Sequence, residues 1–71
     1  MTYEQYISDF KNLDSGIKQL VRRVGSMVCQ EAGYEEIGSS DISCAVFDLY
    51  KRYGNWSDIV QHGLQMIRDE R

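Results

Sequence analysis

The side chains with reactive chemistry in this 71-residue chain are few: Cys29, Cys44 and a single histidine, His62. They are the soft donors a zinc site would use, and they show neither CxxC nor HxxxH spacing. As a nucleophile and its base, neither cysteine is placed to meet His62, and a free cysteine near an apolar stripe ordinarily serves packing. Gly33 and Gly38 follow no strand and lack the spacing of either phosphate-binding fingerprint. General acid and base catalysis needs titratable groups in a pocket that excludes water, for which a small helical domain has little volume. Two cysteines also fall short of the dense framework of a disulfide-stapled mini-protein. The residues therefore predict a non-catalytic protein with no metal, disulfide or cofactor.

The other polar residues suit binding. Between Gly33 and Asp41 the sequence loses its periodicity, and there Tyr34, Glu35, Glu36, Ile37 and Asp41, with Glu31 beside them, form an acidic patch around an aromatic. Binding residues commonly sit on loops held by a rigid scaffold, so this segment is the first candidate protein-binding site. Such a patch suits basic residues of a partner protein, or a nucleic-acid channel in which carboxylates stand for phosphates. Phe47 is its second part: at 100° per residue it points roughly 130° from the centre of its helix's apolar stripe and is expected to be largely exposed. Met66, roughly 100° off its own stripe, carries the same expectation. His62 points away from the apolar side of its helix and is expected in solvent. Gly63 is different, because it interrupts an apolar stripe where any helix former would cost less, which predicts a close helix crossing.

Two basic pairs carry the alternative of nucleic-acid binding. Lys51 and Arg52 precede the tight turn at Gly54 in an arrangement that looks a little like a helix-turn-helix. The helix after that turn, however, exposes Ser57, Asp58, Gln61, His62 and Gln65 in place of base-reading and phosphate-binding residues, and Asp48 is spaced to pair with both cations. Lys18 and Arg22 form the second pair, a short basic strip continued at helical spacing by Gly25 and Cys29.

Four helical stripes must position these residues. Thr2 and Gln5 have the form of a capping box, followed by Tyr3, Tyr6, Ile7, Phe10 and Leu13. After Asp14-Ser15-Gly16, the stripe Ile17, Leu20, Val21, Val24, Met27 and Val28 runs toward Ala32, with Gly33 as the residue beyond the helix end. A rival reading fuses the two into one long helix, since Phe10, Leu13, Ile17, Leu20, Val24 and Met27 alternate spacings of three and four. Asp, Ser and Gly together oppose a helix interior, and the break is preferred. Ser39, Ser40 or Asp41 caps a third helix with Ile42, Ala45, Val46, Leu49, Tyr50 and Tyr53 inward, ended by Gly54. Asn55 with Asp58 starts a fourth, with Trp56, Ile59, Val60, Leu64 and Ile67 inward. The expectation is an all-α bundle of four helices over about 3–13, 16–32, 41–53 and 56–69, forming one domain over 1–71.

The charge balance, eleven acidic against eight basic residues for a net −3, weakly repels phosphate backbones and favours basic partners. Neither a secretion signal nor a run of ~18 apolar residues is present, so the chain reads as cytoplasmic and without a membrane span. So small a core benefits from added burial, which makes homodimerisation an expectation and a purely structural homo-oligomer a further alternative. The sequence thus predicts a protein-binding module, or a small inhibitor or regulator, that engages another protein or a protein–nucleic acid complex. In size, acidity and lack of catalytic motifs it resembles small phage-encoded regulators, anti-CRISPR inhibitors among them; the resemblance rests on no motif.

Overall fold

Polar side chains set three of the helix starts and glycines set two of the ends. In the computed structural model, which describes residues 2–69, Thr2 Oγ1 accepts the Gln5 N–H at 3.2 Å and Gln5 Oε1 accepts the Thr2 N–H at 3.3 Å. This reciprocal cap starts α1 (Tyr3–Lys11). The chain then breaks: Asn12 and Leu13 donate back to Asp9 and Phe10 in a tightened last turn, and Asp14 is extended with ψ 147°. That extended residue rules out the fused helix and starts α2 (Ser15–Glu31).

The end of α2 is a double-bonded left-handed turn. Gly33, at φ 92°, donates to the Gln30 carbonyl at 3.0 Å, and Tyr34 donates to the Cys29 carbonyl at 3.2 Å. The start of α3 (Ser39–Tyr53) departs from expectation, because the capping position is Gly38 and not Ser39, Ser40 or Asp41. Asp41 acts from inside the first turn, its Oδ2 accepting the Gly38 N–H at 3.0 Å. Gly54, at φ 77°, ends α3, and Asn55 Oδ1 accepts the Asp58 N–H at 2.8 Å to start α4 (Trp56–Asp69).

These four helices, with no strand among the described residues, form an all-α bundle. Its radius of gyration is 11.6 Å, against about 11 Å for a compact chain of this length. None of the described helices is long and apolar enough to cross a membrane.

α2 packs against both α3 and α4, and glycine sets the distance at each crossing. A Cβ on Gly25 would sit 2.7 Å from Val46 Cγ2 and 3.0 Å from the Ile42 carbonyl oxygen, and one on Gly63 would overlap Val24 Cγ2. The crossing expected at Gly63 is therefore present. α1 docks by rings instead: Tyr6, only 2% exposed, lies within 6.1 Å of Phe10, Phe47, Tyr50 and Trp56. Tyr50 stacks on Trp56 at 4.2 Å. Both buried phenols are satisfied, Tyr6 donating to the Ser43 carbonyl at 3.3 Å and Tyr50 to Asp9 Oδ2 at 2.8 Å.

The glycine crossings rotate two helices away from their expected faces. α2 buries Val21, Val24, Gly25 and Cys29, and leaves Ile17 and Leu20 exposed. Gly25 and Cys29, read as continuing a basic flank, thus lie on the buried face. α4 buries Ile59, Gly63 and Met66, and leaves Leu64 and Ile67 exposed. Met66 was expected outside and is inside, because the helix turns its smallest residue toward α2 and Met66 lies one turn along that side. Phe47 is also corrected: it is half-buried, since α1 lies over it with Tyr3 at 5.1 Å and Tyr6 at 5.2 Å.

Candidate acidic cleft at the end of helix two

The predicted loop borders a cleft of about 470 Å³, open to solvent, between the C-terminal end of α2 and one side of α3. Val28, Cys29, Ala45 and Leu49 contribute apolar surface. Around them stand Glu31, Tyr34, Asp41 and Asp48, with Arg52 and His62 also lining the cleft. The bonds at Gly33 and the Asp41 cap fix both ends of the intervening loop, so Tyr34, 51% exposed, is held by its backbone at the edge of the cleft.

The electrostatics are acidic. Glu31, Asp41 and Asp48 line the cleft with one guanidinium residue, Arg52, and the only ion pair among the described residues joins Asp48 to Lys51 at 3.4 Å. Asp41 spends one oxygen on the Gly38 amide. Glu35 and Glu36 are exposed on the loop beyond the cleft, and Ile37 is half-buried.

No family model matches the chain, and no curated protein or solved structure matches it. Cys29 is buried and its thiol reaches the Asp41 carbonyl at 3.7 Å. Burial pushes that thiol's pKa up, with the nearby Asp41 and Cys44 adding to the effect, so it stays protonated and a poor nucleophile near neutrality. His62 is half-buried, a correction to the solvated histidine expected, because Nδ1 lies 3.0 Å from the Tyr53 hydroxyl and the rings are 5.7 Å apart. Among the described residues no three His, Cys, Asp or Glu side chains are grouped to hold a metal ion.

The predicted protein-binding residues do not all meet. Tyr34 and Asp41 line the cleft, Glu35, Glu36 and Ile37 flank it, and Phe47 lies under α1. The predicted basic residues are dispersed as well. Lys51 is held by Asp48 and lies over the Phe47 ring at 4.6 Å, while Arg52 lines the acidic cleft. Arg22 donates to Ser39 Oγ at 2.9 Å, and Lys18 is half-buried on the same flank of α2. Ser39 and Arg52 lie at opposite ends of α3, about 20 Å apart along its axis, so the two basic pairs do not merge into one patch.

Sequence reasoning missed the α3 wall of the cleft. Its signal was present, because Asp41, Ala45, Asp48 and Arg52 recur at spacings of four, three and four and so share a helix face. A search confined to apolar stripes passes over a face of this composition.

Proposed function

We propose that this chain is a non-catalytic protein-binding module, a small inhibitor or regulator, that receives a basic segment of a partner protein in the acidic cleft. The observation that carries the reading is Tyr34, an aromatic half in solvent whose backbone is pinned beside carboxylates with few cations of their own. A tyrosine held this way offers a large contact area at little further cost in conformational entropy. Glu31, Glu35, Glu36, Asp41 and Asp48 would steer a cationic partner, and the apolar surface near Leu49 would take the methylenes of an arginine or lysine. A partner with a basic channel for nucleic acid fits this chemistry, the carboxylates standing for phosphates, which is the mode suggested by the resemblance to small phage-encoded inhibitors.

The test is titration of the ¹⁵N-labelled chain with a hexa-arginine peptide. Amide shifts should concentrate in residues 29–52, and Tyr34→Ala with Glu35→Lys and Glu36→Lys should weaken them while leaving the helical circular dichroism unchanged. Shifts spread evenly over every acidic residue, or none at low salt, would overturn the assignment.

A further inference from the structure

The rotation of α2 and α4 leaves a surface that the cleft does not use. Ile17, Leu20, Leu64 and Ile67 are 37%, 48%, 42% and 36% exposed, and all four lie along the seam between the two helices. The pair runs parallel, since Ile17 neighbours Val60 at one end of the seam and Met27 neighbours Ile67 at the other. Four large aliphatic residues in one continuous strip form the kind of patch that marks an interaction surface.

The strip has two unlike halves. Its N-terminal half is concave, an apolar groove of about 290 Å³ between Leu13, Ile17, Trp56 and Val60. Its C-terminal half carries the aliphatic side chains of Leu64 and Ile67. The charges divide along the same axis. Arg23 lines the C-terminal half and Arg68, four residues on from Leu64, shares that residue's side of α4; both are exposed and without an ion pair among the described residues. Asp14 stands at the N-terminal end, and although it holds the capping position of α2 its carboxylate makes no capping hydrogen bond.

We propose that the occupant of this strip is a second copy of the chain, packed face to face with its helices antiparallel. A twofold contact requires that whatever one copy offers at one end, the other receives there. In the antiparallel arrangement Leu64 and Ile67 of each copy move toward the groove of the other, and Arg23 approaches Asp14 of the second copy. The parallel arrangement would set α2 over the second copy's α4, bringing Arg23 toward Arg68 and leaving both grooves empty. Charge and shape therefore select the same orientation. The dimer goes beyond the cleft reading and leaves the cleft open in both copies, so each dimer offers two acidic sites to a partner and gains by avidity when both are engaged.

Sedimentation equilibrium from micromolar to millimolar concentration tests this. The native chain should be a reversible dimer, and Leu20→Glu should dissociate it at least tenfold more readily with its helical content retained. Arg23→Glu should weaken the dimer, and adding Asp14→Lys should restore it. Where Leu20→Glu does not fold, Leu64→Gln serves in its place. A native chain that stays monomeric at millimolar concentration overturns the proposal. So does a dimer indifferent to Leu20 and Leu64, or association that continues past the dimer. Glu35→Lys with Glu36→Lys should leave sedimentation unchanged, and Leu20→Glu should leave hexa-arginine binding unchanged, which separates failure here from failure of the cleft reading.

Discussion

α2 and α1 reach close contact by opposite means. At its crossings with α3 and α4, α2 relies on missing atoms, Gly25 against Val46 and the Ile42 carbonyl, and Gly63 against Val24. α1 relies on bulk, with Tyr6 among five other rings. The difference teaches where each contact has slack. A ring cluster can re-space itself by tilting its members, whereas a helix crossing closed on a glycine has a fixed distance and dictates which neighbouring side chains are turned out.

The contrast yields predictions of decreasing size. Tyr6→Ala removes the centre of the ring cluster and should cost about 4 kcal/mol, a large part of the stability of so small a domain, measured by urea unfolding. Gly63→Ala and Gly25→Ala should each cost about 2 kcal/mol by overpacking, and their rescue should differ. Val24→Ala removes the Cγ atom that a Cβ on Gly63 would overlap, so the double variant should be less destabilised than the sum of the two single ones. Val46→Ala should rescue Gly25→Ala only in part, because the Ile42 carbonyl remains in the way. Equal rescue at both sites would break the distinction between a side-chain contact and a backbone contact.

Tyr50→Phe keeps the ring and deletes the bond to Asp9, at a cost of about 1.5 kcal/mol. That bond, together with burial, pushes the Tyr50 phenol up from its ordinary value. A raised folded pKa means that its contribution is present below the unfolded value, about 10, and is lost as pH rises through the folded one. The gap between native chain and Tyr50→Phe should therefore close in alkaline solution, and a gap constant to pH 12 would contradict the role given to Asp9. Smallest is Thr2→Ala, which removes half of the α1 capping box and should cost about 1 kcal/mol.

The same contrast explains what could be read in the sequence. Helix number and most of the ends were legible, because they depend on local chemistry: the Thr2 and Gln5 box, Gly33, Gly54, and the Asn55 cap. The faces of α2 and α4 were not. Apolar weight pointed to Leu20, Leu64 and Ile67, but two helices approach closest where their residues are smallest, and the bulky neighbours are then displaced toward solvent. Met66 was misread for that reason. Phe47 was misread for another, since its cover comes from α1, far away in sequence. At the candidate site, Tyr34 and its acidic neighbours stood out as a loop, while Asp48, Arg52 and His62 joined them only through the packing of α2, α3 and α4.

The ring cluster that fastens α1 has a consequence for how the protein is made. Every ring against which Tyr6 packs outside its own helix, those of Phe47, Tyr50 and Trp56, lies beyond the loop after α2. Both glycine crossings of α2 likewise close on α3 or α4. The first half of the chain, leaving the ribosome, has little of its own to fold upon, and its helices must await the second half. Such a unit is assembled in one event once α4 has been synthesised, and a nascent chain stalled in the loop after Gly33 would leave Tyr6, Val21 and Val24 without the surfaces that bury them.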